Sequence, residues 1–131
     1  MKTILLAIAL LGTATLAAQG KRVAATESWV KLPAPGETQA MAFVAIDNPT
    51  MYGIYVTGAT TDAAGKVELR DGDKPVEFIS VPAYESIDMK PDGVHLQLLD
   101  LKRSLKEGEK VALMLVTDNA GTLEVTAIVR P

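Results

Sequence analysis

His95 is the only histidine in this 131-residue chain, which has five methionines and no cysteine. An imidazole with thioethers around it suits a soft metal ion, because neither donor has to lose a proton at neutral pH. One imidazole alone does not make a metal site. Met89 shares a strand face with Ile87 and Met114 lies in an apolar run, so both read as core filling, whereas Met41 and Met51 flank an expected strand and turn and read as exposed. Alternation puts His95, Gln97 and Leu99 on one strand face and Leu96 and Leu98 on the other. As a ligand, His95 would need a methionine from elsewhere, with Met51 one candidate. As an ordinary residue it would sit at a strand end on a partly exposed face. Catalytic constellations are absent: there is no Gly-x-Ser-x-Gly elbow, phosphate-cradling loop or His-Glu-x-x-His, and nothing in the order of residues ties His95 to Ser80, Ser86 or Ser104. Glu107 and Glu109 sit in a charged turn and read as solvated surface. The chain reads as a binding protein, not an enzyme.

The elements that must carry these residues are strands almost throughout. Val23–Leu32, Ala42–Asp47, Ile54–Ala59, Val67–Arg70, Val76–Val81, Ser86–Met89, His95–Leu99, Lys110–Thr117 and Thr122–Val129 are β-branched, aromatic or alternating. Asn48-Pro49, Pro82-Ala83, Pro91-Asp92-Gly93 and Asp118-Asn119-Ala120-Gly121 separate them as turns, and Asp71-Gly72 suits a two-residue type I′ hairpin. Eight or nine strands at this spacing predict an all-β domain, a Greek-key β-sandwich. Pro33–Gln39 reads as a surface loop. Leu101–Glu109 has room for one helical turn, ended by Gly108. Trp29 is expected in core packing, and Tyr52, Tyr55 and Tyr84 near strand ends with wet hydroxyls.

The N-terminus has a different purpose. Met1-Lys2 gives a positive start, Ile4–Leu11 an uncharged apolar run, and Gly12–Gly20 small residues leading to a cleavage site after Ala18 or Gly20. This is the layout of a secretory signal peptide, too short to stay as a membrane span. Residues 1–20 are therefore expected to be removed, leaving residues 21–131 as one domain, periplasmic or secreted, with no membrane span in its mature form. The absence of cysteine excludes disulfides, a thiolate site and an acylated cysteine within the sequence. The net charge of −3, with scattered basic residues, leaves no footprint for nucleic acid.

The order of signatures resembles a known family. Trp29-Val30 is followed by Pro35-Gly36, Phe43-Val44-Ala45-Ile46-Asp47-Asn48 and Tyr55-Val56-Thr57-Gly58-Ala59-Thr60. Then come Val67-Glu68-Leu69, Val81-Pro82-Ala83, Met89-Lys90-Pro91-Asp92-Gly93-Val94-His95 and Gly121-Thr122-Leu123-Glu124-Val125. Nearly the whole mature chain is similar to the periplasmic copper chaperone family PCu(A)C. The resemblance implies a cupredoxin-like sandwich, one bound Cu(I), and a copper-acceptor protein of the oxidase assembly pathway, the route to the Cu(A) centre, as partner. The family motif is a histidine, ten residues, a methionine, twenty-one residues, then His-x-Met.

On that pattern His95 is the one ligand retained. Arg70 stands where the first histidine follows Val-Glu-Leu, Asp73 where the first methionine belongs, and Gln97 where the last one does. These three are not expected to bind Cu(I). If Asp71-Gly72 is the hairpin loop, Arg70 and Asp73 flank it and form an ion pair in place of a metal bridge. Two readings follow: a copper chaperone by descent with a degraded site, or a metal-free binding and interaction module on the same sandwich.

Overall fold

A computed structural model describes residues 22–131, and the expected leader, residues 1–20, lies outside the described residues. Ten strands follow one another: β1 (Ala24–Lys31), β2 (Ala40–Asp47), β3 (Ile54–Thr61), β4 (Ala64–Asp71), β5 (Lys74–Pro75), β6 (Ile79–Val81), β7 (Ser86–Asp88), β8 (Val94–Leu101), β9 (Lys110–Thr117) and β10 (Thr122–Arg130). They form one curled sheet in the order β5-β4-β8-β2-β1-β10-β9-β3-β6, with β7 also paired to β2. The β1–β10 pair is parallel and the others are antiparallel. β1 bonds β2 on one side and β10 on the other, so the two layers of the sandwich are continuous through it. Among the described residues no helix is long and apolar enough to cross a membrane.

Period-two patterning builds the core. In β9, Val111, Leu113, Leu115 and Thr117 are buried while Lys110, Ala112, Met114 and Val116 face outward. In β2 and β8 the inward residues are Ala42, Val44, Ile46, Leu96 and Leu98, all fully buried. They meet Val56, Ile79 and Val81 from the other layer in one apolar cluster. Burying a side chain of this size contributes about 1.5–3 kcal/mol, and with no cysteine in the sequence this cluster supplies the stability.

Several expectations change. The run Val76–Val81 is not one strand: Lys74–Pro75 pairs with β4, and Ile79–Val81 crosses to the other layer to pair with β3. Pro75 cannot donate to a ladder, which confines β5 to a short edge. Met114 lies on the outer face of β9 and is exposed, so it does not fill the core as its apolar neighbours suggested. Leu101–Glu109 contains no helical turn; Gly108, at φ +83°, closes a tight turn into β9.

The β4–β5 hairpin is also shifted by one residue from expectation. Asp71 pairs with Lys74 and Arg70 with Pro75, so the loop is Gly72-Asp73. Gly72 takes φ +63° and Asp73 does not have positive φ, the sign pattern of a type II′ turn with glycine first. The expected Arg70–Asp73 ion pair does not form. Asp73 is exposed at the tip, and Arg70 instead bonds Glu68 on its own strand, Nε to Oε1 at 2.7 Å.

Candidate functional site

β2 changes partner along its length. Ala40–Ala42 pair with β8, whereas Ala45–Asp47 pair with β7. The turn between those two strands, Lys90–Gly93, sits at the fork, tied by the Gly93 N–H to Lys90 O and the Lys90 N–H to Val94 O. His95 enters β8 just beyond it.

Register sets six side chains on one face of this sheet. On β4, Arg70 is opposite His95 and Glu68 opposite Gln97. On the other flank of β8, Met41 of β2 is opposite Gln97, and the Phe43 ring lies 6.1 Å from the imidazole. Directly opposed residues share a face with Cβ atoms about 4.5–5.5 Å apart. The row extends through Phe43 to Trp29, ring centroids 4.6 Å apart, and the Arg130 guanidinium lies 5.6 Å over the indole. Trp29 is half-buried and packs against the core cluster beside Phe43, as expected of it.

His95 is 1% exposed, not a strand-end residue on a partly exposed face. Nδ1 lies 3.0 Å from Gly93 O, and a carbonyl can only accept, so Nδ1 carries a proton, and in the neutral ring Nε2 presents a lone pair. That Nε2 is buried and has no partner. Gln97 is 6% exposed; its Nε2 donates to Gln39 Oε1 at 3.2 Å, and its Oε1 is buried without a partner. An orphaned buried acceptor costs about 1–3 kcal/mol, and here two of them are neighbours on one strand face.

Of the four positions that the copper motif implies, the fold brings Arg70, His95 and Gln97 together and leaves Asp73 at the exposed hairpin tip. The family's Cu(I) set does not fit: one imidazole remains, a guanidinium stands opposite it, and an amide replaces a thioether. Among the described residues there is also no group of three or more His, Asp or Glu able to hold a metal. Met51 is exposed, and two other methionines stand beside the site. Met41 is half-buried opposite Gln97, and buried Met89 lines a cavity of about 200 Å³ with Trp29, Phe43 and Asp88 at the fork. The residues missed in the sequence are Glu68, Met41 and Phe43. Alternation of Glu68 with Arg70, and of Met41 with Phe43, was visible, but which strands lie side by side was not.

The comparisons with known proteins agree with this architecture. Residues 23–129 match the family described as "Putative lipoprotein LpqE-like". A curated relative from Leifsonia xyli subsp. xyli, "Putative lipoprotein Lxx21020", is 27% identical over 121 residues, covering 86% of this chain and 72% of that protein. The Cu(I)-bound solution structure of DR1885 from Deinococcus radiodurans superposes with TM-score 0.74 at 30% identity, covering 87% of this chain and 82% of that one. The copper-bound PCuAC domain of PmoF2 superposes with TM-score 0.77 at 22% identity, covering 83% and 92%, and shows the shared fold. The chain belongs to the LpqE-like family and is a divergent, cupredoxin-like relative of the PCuAC copper chaperones in which most of the copper motif is replaced.

Proposed function

We propose that the protein works outside the cytoplasm, after removal of residues 1–20, as a copper-handling domain that binds and does not catalyse. His95 is its retained ligand. The observation that supports this reading is the bare Nε2 of a histidine that is 99% buried, held in one tautomer by Gly93 O. A structural histidine would have both nitrogens satisfied or one in water. A ligand needs the arrangement found here, with the second nitrogen oriented by a carbonyl. Solved relatives described as copper-bound support the choice of ion. With three of the four motif positions replaced, loading is weak, and a weakly held ion leaves readily. Delivery to a copper-acceptor protein of the oxidase assembly pathway, in the periplasm, is the role this reading carries over from the relatives.

A second reading, a metal-free interaction module, is favoured by one observation: Arg70 is directly opposite His95. A guanidinium about 5 Å from a monovalent ion repels it by roughly 1–3 kcal/mol at intermediate dielectric. Titrating the processed protein with copper against a chromophoric chelator separates the two. Competition that disappears in His95→Phe supports copper handling; competition unchanged by that substitution, or none at all, leaves the interaction module.

A further inference from the structure

At the end of the sandwich where β2, β6 and β9 finish and β1, β3 and β10 begin, a cavity of about 600 Å³ opens to solvent. That volume lies within the range of about 300–1,000 Å³ usual for small-molecule sites. The cavity shares no lining residue with the His95–Gln97 patch. Its floor is apolar: Ile54 is 2% exposed, and Val23, Ala120 and Leu123 pack against the core cluster. Two braced loops form its walls. Thr50 and Tyr52 stand on the loop that Asn48 ties down, donating to Tyr52 O and accepting from Thr50. Asn119 and Ala120 stand on the turn that Thr117 ties down, its Oγ1 donating to Gly121 O at 2.6 Å and accepting from the Ala120 N–H at 2.9 Å. Asn48 and Thr117 are both buried. Walls fixed in this way are shaped before any ligand arrives, which lowers the cost of binding.

The rim sets the chemistry of the ligand. Arg22 is the one charged residue among those lining the cavity; it is exposed and forms no ion pair with another described residue. The neighbouring acid in the chain, Asp118, has its Oδ1 on the Tyr55 N–H at 2.9 Å. In a protein of net charge −3, this cavity therefore presents a cation. A guanidinium pairs with a carboxylate through two parallel hydrogen bonds, and a single positive charge matches a single negative one. Tyr52, 67% exposed, offers a ring face for stacking, and Asn119 and Thr122 add an amide and a hydroxyl. We propose that the cavity binds an aromatic monocarboxylate, with the acid on Arg22 and the ring between Tyr52 and the apolar floor. This site is independent of the copper-handling reading.

The test titrates the processed protein with cinnamate, cinnamyl alcohol and octanoate, following amide chemical shifts by NMR. Cinnamate is expected to shift Thr50, Ile54, Ala120 and Leu123 with a Kd below about 1 mM. Arg22→Gln is expected to weaken cinnamate about tenfold and leave the neutral alcohol unchanged. Tyr52→Ala is expected to weaken both ring-bearing ligands about fivefold and octanoate little. Both side chains are exposed, so both variants are expected to fold as the parent does. Equal binding of cinnamate and cinnamyl alcohol overturns the choice of an anion. Octanoate binding tighter than cinnamate overturns the choice of a ring. Shifts confined to other residues, or none up to about 10 mM, overturn the site itself.

Discussion

Two regions of this sandwich bury polar side chains, and they do so in opposite ways. Asn48, at the end of β2, is 0% exposed and uses its whole amide. Its Nδ2 donates to Tyr52 O at 2.8 Å, Val81 O at 3.2 Å and Pro82 O at 3.1 Å, while Oδ1 accepts from Thr50 N at 3.0 Å and Thr50 Oγ1 at 2.6 Å. It pins the loop after β2 to the loop after β6, where the Tyr84 N–H donates to Thr50 O and Tyr84 takes φ +60°, a conformation unfavourable for a bulky side chain. The His95–Gln97 patch, buried on the same sheet, leaves one polar atom without a partner on each residue. A polar group buried for architecture is satisfied from within; one buried with an open valence waits for something from outside. The contrast sets a structural staple in the first region against the proposed site in the second.

Stability measurements on the metal-free protein can break that comparison. The largest effect is expected at the staple: Asn48→Ala removes three hydrogen bonds to carbonyls and two to Thr50, though Pro82 O keeps Glu85 N–H and Tyr52 O keeps Thr50 Oγ1, and should cost roughly 2–3 kcal/mol, read from denaturant unfolding. A loss below about 1 kcal/mol would mean that water replaces the amide without penalty. At the patch the sign should reverse. The double substitution His95→Phe with Gln97→Leu removes two unsatisfied acceptors from a dry face and should be neutral or stabilising by about 1 kcal/mol. Destabilisation there by as much as Asn48→Ala would show that the two regions are the same kind of structure.

Smaller effects sharpen the picture. Arg70→Ala breaks a partly exposed pair with Glu68 and should change stability by less than about 1 kcal/mol. The same change removes the guanidinium opposite His95, so copper binding that depends on His95 should strengthen while the unfolding midpoint scarcely moves. The smallest effect belongs to Glu109, far from either region. Its carboxyl is held below the usual carboxylate range by the hydrogen bond from the Lys106 N–H and then by Arg103, 2.9 Å away. A pKa lowered in the folded state gives stability that is present at neutral pH and lost as pH falls through the lowered value. Glu109→Gln should therefore flatten the acid limb of the stability profile slightly and leave neutral stability near that of the parent.

Much of the architecture was legible because β-sheet patterning is local. Lys110–Thr117 alternates so strictly that the strand and its inward face could be read without a partner, and the turn at Asp118–Gly121 follows from its residues. The Asp71-Gly72 hairpin shows where such reading stops. Both Asp71-Gly72 and Gly72-Asp73 are acceptable turn pairs, and the choice between types I′ and II′ moved the register by one residue and detached Arg70 from Asp73. Val76–Val81 failed for a related reason: an apolar run carries no mark of the point where the chain leaves one layer for the other.

The sequence by itself determined the all-β class, the faces of the long strands, the turns rich in Gly, Pro, Asn and Asp, and the loss of the soft donors from the copper motif, since each of these depends on a residue and its near neighbours. Only the tertiary structure decided that His95 is dry, that its tautomer is fixed by Gly93, and that Glu68, Met41 and Phe43 stand across from Gln97 and His95. Those facts come from which strands lie side by side and in what register. Ladder pairing and burial are properties of the assembled sheet, and no single strand carries them.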